Sequence, residues 1–147
     1  MRLAALALLV EEDADRLLDH LRLSSAERDR LAAAARVMAK LRVPESLEPK
    51  TLRVLDYRHG RPALQDALRL AWASDGRDRS EALAFVAAEP LRKMPMRGAD
   101  LIKRGVAPGP ALGAALAEIE RRWVEADFPT DERVLNGLVE DVVSPRP

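Results

Sequence analysis

The sequence predicts an all-α protein of about seven or eight helices. Apolar residues recur every three to four positions along most of the chain, which is the spacing of one face of a helix. They are mostly Leu, Ala and Val, and the chain has only two Trp, one Tyr and two Phe. This composition favours helices over strands. Pro and Gly separate the periodic segments, as they do at helix ends.

The N-terminus combines an apolar run with an acidic one. Residues 3–10 are spaced as a first short helix, and Leu17 and Leu21 predict a second. The run is short for a secretion signal, and acidic residues 11–13 stand where a small-residue cleavage site is expected. No apolar run reaches the length of a membrane span, and cysteine is absent. We therefore expect a cytoplasmic protein without disulfides or a membrane partner.

Capping signals predict the next two helices. Ser24 precedes Glu27 by three residues, which is the pattern of a capping box, and predicts a long helix over about 25–41. Pro49 suits the first turn of a following helix, which is expected to end at Gly60.

Two further helices are predicted in the middle of the chain. Pro62 opens one whose apolar stripe includes Trp72, so this side chain is expected in the core, as is Trp123 further on. Residues 74–77 are typical of a loop, and a helix over about 79–88 follows.

The segment 91–96 predicts an extended connector, because Pro90 and Pro95 flank or interrupt it. We take it as the boundary between a helical body region over residues 1–90 and a helical tail subdomain over residues 91–147.

Three helices are predicted in the tail subdomain. A short one over about 99–104 is followed by Gly105, which suits a left-handed cap. Pro110 suits the first position of a long helix. Thr130 is expected to cap the last helix.

Residues 98–113 read G-A-D-L-I-K-R-G-V-A-P-G-P-A-L-G. This segment resembles the C-terminal region of bacterial tRNA nucleotidyltransferases, the CCA-adding enzymes and related poly(A) polymerases. There a pattern G-x-D-L-x-x-x-G-x-x-P-G-P-x-x-G precedes a helix with a large residue. The matching residues here are Gly98, Asp100, Leu101, Gly105, Pro108, Gly109, Pro110, Gly113 and Trp123. Residues 21–28, L-R-L-S-S-A-E-R, also resemble the family's L-R-L-S-N-A-E-R.

The resemblance implies the all-helical, RNA-binding C-terminal portion of such an enzyme, without its catalytic half. The expected partners are tRNA and that catalytic half. The parent enzyme would add CCA, or A alone, to tRNA 3′ ends, or a poly(A) tail, using CTP, ATP and magnesium. The alternative is a free-standing helical module that binds protein or nucleic acid. An abrupt start in what looks like mid-domain helix favours the fragment.

The family's catalytic signatures have only formal matches here. Asp13-Ala-Asp15 fits D-x-D, but these carboxylates stand at a predicted helix start, where acidic residues suit the helix dipole. In the family they stand on a sheet and hold magnesium. Two separated histidines, His20 and His59, do not make the His-Asp metal site found in some members. We expect no catalytic residue, metal or cofactor in this chain.

The candidate RNA contact lies in the tail. Overall charge is balanced, with 24 basic and 24 acidic residues, so binding must depend on local clustering. Residues 91–110 include five basic residues and only one acidic residue, Asp100. Turn amides before the Pro110 helix could receive a phosphate. The candidate RNA-binding residues are Arg92, Lys93, Arg97, Lys103, Arg104, Gly105, Gly109 and Gly113. An ordinary helical hairpin with a solvated face remains the alternative interpretation.

Overall fold

The computed structural model describes residues 24–41 and 47–143. These residues form seven α-helices and no strand, so the all-α prediction is confirmed. None of these helices is both long and apolar enough to cross a membrane. The two helices predicted before Ser24 lie outside the described residues, as does Asp13-Ala-Asp15. The chain divides after Leu91 into an N-terminal and a C-terminal compact unit.

Four helices form the described part of the N-terminal unit. They are α1 (Ser25–Lys40), α2 (Pro49–His59), α3 (Arg61–Asp75) and α4 (Ser80–Ala88). The predicted capping box opens α1, since the Glu27 amide donates to Ser24 Oγ and the Ser24 amide donates to Glu27 Oε2. Between α2 and α3, Gly60 adopts a φ of 82°, which turns the chain directly from one helix into the next.

The core of the N-terminal unit is centred on α3. This helix packs against α1, α2 and α4, and Leu64, Ala67 and Leu68 are fully buried on it. Their neighbours in one apolar cluster come from the other three helices and from the residue that follows α1. They are Val37, Leu41, Leu52, Leu55, Ala82 and Val86. Burial of this apolar surface is the main stabilising term of the unit.

The C-terminal unit contains the helices α5 (Gly98–Lys103), α6 (Pro110–Glu125) and α7 (Glu132–Val143). Leu101, Ile119 and Val139, one from each helix, form its buried centre. Trp123 is buried as predicted and donates from Nε1 to the Pro129 carbonyl at 2.9 Å. The Trp123 ring meets the ring of Phe128 edge to face, with centroids 5.0 Å apart.

The prediction that Trp72 lies in the core is wrong, because this side chain is 36% exposed. On α3, Arg69 lies four and Trp72 seven positions after Gln65, so these three residues share one face of the helix, away from the buried one. The buried stripe of α3 is already filled by Leu and Ala, which leaves the Trp at its margin.

Three predicted helix boundaries are also corrected. The α3 helix continues to Asp75 and ends at the left-handed Gly76, so the loop begins two residues later than predicted. The short tail helix begins at Gly98. Asp131 rather than Thr130 caps α7, because its Oδ1 accepts from the amides of Arg133 and Val134.

Candidate RNA-binding hairpin

The α5 helix and its exit are fixed by hydrogen bonds within the predicted motif. Asp100 Oδ2 accepts from the Arg97 amide at 3.0 Å, which ties the start of α5. At the other end, the Val106 amide donates to the Leu101 carbonyl at 3.1 Å. Gly105 adopts a φ of 92°, so the chain leaves α5 through the left-handed region, as predicted. The Asp and the second Gly of the motif thus have structural roles.

The turn into α6 presents exposed backbone. Gly109 has a φ of 130° and provides no side chain to cap α6, and Pro110 occupies the first helical position. The amides of Leu112 and Gly113 donate to the Gly109 carbonyl. Within the described part of the chain, the amides of Gly109 and Ala111 reach no acceptor. Two donors therefore remain for an anion at this helix N-terminus.

The glycines of the motif differ in what they require. A Cβ on Gly98 would lie 3.4 Å from Leu112 Cδ2, so this glycine serves the packing of α5 on α6. A Cβ on Gly113 would meet nothing within 4 Å, although the residue lies inside a helix. Gly is about 1 kcal/mol less favourable than Ala in a helix interior. Neither packing nor φ requires a glycine at position 113, and the same holds for Gly137 in α7.

The five predicted cationic contacts divide into two groups. Lys93, Arg97 and Lys103 are exposed. The Arg92 guanidinium instead lies 5.1 Å from the centroid of the Phe128 ring, a cation–π distance. Arg104 donates from Nη2 to Asn136 Oδ1 at 2.6 Å.

A shallow cleft of about 390 Å³ opens beside Lys103 and Arg104, between α5 and α7. Asp100, Glu132 and Asn136 also line it, so its charge is mixed. Phe128 and Asn136, the partners of Arg92 and Arg104, were not anticipated from the sequence. Asn136 lies 32 positions from Arg104, so no local pattern could reveal the pair.

The second half of α6 is electrostatically self-contained. Hydrogen bonds from Arg121, and then from Arg122, lower the pKa of Glu118 to about 2. Arg121 also donates from Nη1 to Glu125 at 2.5 Å. Arg121 and Arg122 thus form ion pairs with carboxylates of their own helix. The exposed cations available to a ligand are Lys93, Arg97 and Lys103, which precede α6.

The described residues do not fit a magnesium site. They contain no group of three or more His, Asp or Glu side chains that could hold a metal ion. The buried carboxylates are instead paired with arginines, as Asp66 is with Arg30 and Asp56 with Arg61.

Comparison with known proteins identifies the class. The sequence model of the family described as tRNA nucleotidyltransferase domain 2 matches residues 2–139. The chain belongs to this family, and the resemblance seen in its motifs is confirmed. It is also similar to the CCA-adding enzyme of Limosilactobacillus fermentum (strain NBRC 3956 / LMG 18251), with 35% identity over 96 residues.

A second similar protein is the CCA-adding enzyme of Lacticaseibacillus paracasei (strain ATCC 334), with 41% identity over 61 residues. These alignments cover 62% and 42% of this chain, but only 24% and 15% of the two relatives. The chain thus matches about a quarter or less of each relative's length. No solved structure matches.

Proposed function

We propose that this chain is the RNA-binding portion of a CCA-adding tRNA nucleotidyltransferase. It grips the backbone of tRNA in the cytoplasm, while a catalytic half not contained in these 147 residues transfers nucleotides from CTP and ATP with magnesium. Family membership and the names of the two relatives support the parent activity. The α5–α6 hairpin carries the RNA-binding assignment, because it combines turn amides without an acceptor and exposed cations.

This hairpin recognises phosphate rather than base sequence. Backbone amides and lysine or arginine side chains are the groups that contact phosphate oxygens, and they position a nucleic acid without reading its bases. Holding the tRNA body fixes where its 3′ hydroxyl lies relative to the catalytic half. Such positioning contributes to rate because it removes the entropy cost of aligning the reacting groups.

The test is tRNA binding as a function of salt. The variant Lys93→Gln, Arg97→Gln and Lys103→Gln removes three exposed cations and spares the Arg104–Asn136 contact. Each lost phosphate contact should lower the slope of log K against log salt by about 0.7 to 0.9. We expect weaker binding to tRNA lacking its CCA end, a slope reduced by about 2, and unchanged circular dichroism.

A matched control removes three exposed cations elsewhere: Lys50→Gln, Arg77→Gln and Arg133→Gln. It should bind tRNA like the unmodified chain. Equal affinity and slope for both variants would show that the hairpin is only a solvated surface.

A further inference from the structure

Trp72 is the large apolar side chain that α1 to α4 leave exposed, within the described residues. The other tryptophan, Trp123, is fully engaged, since its ring meets Phe128 and its Nε1 donates to the Pro129 carbonyl. Within the described part of the chain, the Trp72 side chain has neither a ring contact nor a hydrogen bond. Its ring and its Nε1 donor are therefore open to a ligand.

Trp72 lines an open cleft at the C-terminal end of α3. The volume of this cleft is about 480 Å³, which lies within the roughly 300–1,000 Å³ of ligand pockets. Ala73 and Gly76 of the same helix end and Leu83 of α4 line it too. A Cβ on Gly76 would meet nothing within 4 Å, so the cleft is open on that side. A flat apolar group can therefore reach the indole ring.

Arg69 adds positive charge to this cleft. Its side chain is about half exposed and stands three positions before Trp72, on the same face of α3. It forms an ion pair with Asp66, with Nη1 3.5 Å from Oδ1. Arg30 Nη2 already donates to that oxygen at 3.0 Å, so two guanidinium groups share one carboxylate. The three groups carry a net positive charge, and the described residues that line the cleft include no acid.

These surroundings favour an RNA base over a protein as the occupant. Unpaired bases stack on aromatic side chains, and a neighbouring arginine supports them through its charge or its own plane. A protein interface instead buries about 800 Å² on each partner, around a core of several apolar and aromatic side chains. In the described helices of this unit, a single exposed aromatic ring stands beside a cation. This arrangement suits one flat base better than a protein surface.

We propose that Trp72 stacks on an unpaired base of the tRNA and that Arg69 contacts a phosphate beside that base. This inference rests on the proposed function and deepens it, because it adds a base contact in the N-terminal unit to the phosphate contacts of the α5–α6 hairpin. Every base has a flat π-face, so such a contact selects an unpaired nucleotide rather than a sequence.

The first experiment measures binding of the full chain to tRNA lacking its CCA end. Trp72→Leu keeps an apolar side chain but removes the ring, and we expect it to raise the Kd on the order of tenfold. The salt slope should stay the same, because no charge is removed. Trp72→Phe keeps a ring and should recover part of the loss. The control is Gln65→Ala, on the same face of α3, which should leave the Kd unchanged.

The phosphate contact is tested separately with Arg69→Gln. This variant should weaken binding and lower the salt slope by about 0.7 to 0.9, as expected for one lost phosphate contact. Arg30 still pairs with Asp66 in it, so circular dichroism should be unchanged. An unaltered slope would show that Arg69 serves only the ion pair with Asp66.

A second readout uses tryptophan fluorescence, which is quenched when an indole stacks on a base. A short single-stranded oligouridylate should quench the unmodified chain. A fully paired RNA duplex should quench it less, because its bases are stacked on one another. In Trp72→Phe the remaining tryptophan is the buried Trp123, so the quenching should disappear.

The outcomes separate the two proposals. If the unmodified chain binds tRNA but Trp72→Leu binds it as tightly as Gln65→Ala, this inference is overturned and the proposed function stands. A contact with a protein, such as the catalytic half, then becomes the better interpretation of Trp72. If the unmodified chain binds neither tRNA nor oligouridylate, the proposed function fails and the stacking proposal fails with it.

Discussion

Asp66 is buried in the N-terminal unit, with 2% of its surface exposed, yet its arginine partners lie at the surface. The Arg30 Nη2 atom donates to Asp66 Oδ1 at 3.0 Å, and Arg69 lies 3.5 Å from the same oxygen. A buried carboxylate is tolerated only when it is paired and hydrogen-bonded. Arg30 belongs to α1 and Asp66 to α3, so this pair also fixes how the two helices pack.

We therefore expect Arg30→Met to lower the free energy of unfolding by about 1–3 kcal/mol. The loss should be moderated by Arg69, which still faces the carboxylate. Replacing both partners, as Arg30→Met with Asp66→Leu, should restore most of the stability, because no buried charge remains. Urea denaturation at pH 7 measures these differences.

The control is Lys40→Met, a change on the same helix at an exposed cation, which should alter stability by less than about 0.5 kcal/mol. A loss for Arg30→Met no larger than that of Lys40→Met would mean that the pair contributes nothing.

Among the helices, α6 contains a position at which one substitution should change stability and tRNA affinity in opposite directions. Gly113 lies inside this helix with open space where a Cβ would be. Gly113→Ala should therefore stabilise the chain by up to about 1 kcal/mol. If RNA approaches the backbone here, the same methyl group should weaken tRNA binding. Thermal unfolding and a tRNA titration on one preparation measure both effects.

Gly137 in α7 is the matched control, since a Cβ there would also meet nothing within 4 Å. Gly137→Ala should stabilise the chain by a similar amount and leave tRNA affinity unchanged. Unaltered tRNA affinity in Gly113→Ala would contradict close approach of RNA at this position.

For the whole molecule, we proposed that this chain binds tRNA and that another half carries out catalysis. The purified chain should therefore bind tRNA but not extend it. The described residues hold no metal-binding group, and their buried carboxylates are paired with arginines. We expect no labelled nucleotide on tRNA lacking its CCA end after incubation with CTP, ATP and magnesium. Gel analysis with a full-length CCA-adding enzyme as positive control checks this. Clear incorporation by the purified chain would overturn the proposal that catalysis requires another half.

Local signals placed most of the helices correctly. Ser24 with Glu27, Pro49 and Pro110 each act through the first helical turn, and Gly60 through its own φ, so their effect is complete within about four residues. The all-α class and the motif at residues 98–113 could also be predicted, because both depend on residues that are close together in the sequence. Where two neighbouring residues could both serve, as Thr130 and Asp131 at the start of α7, the sequence pointed to the wrong one.

Features that join distant residues required the packed helices. Trp72 continues an apolar stripe in the sequence. In the structure, however, the buried face of α3 is occupied by Leu and Ala side chains, and Trp72 lies at the edge of this face, 36% exposed. Arg104 finds Asn136 on another helix. Arg30 of α1 finds Asp66 of α3, 36 positions later. Which face of a helix is buried, and which charges share a surface, depends on neighbours that periodicity along one segment does not specify.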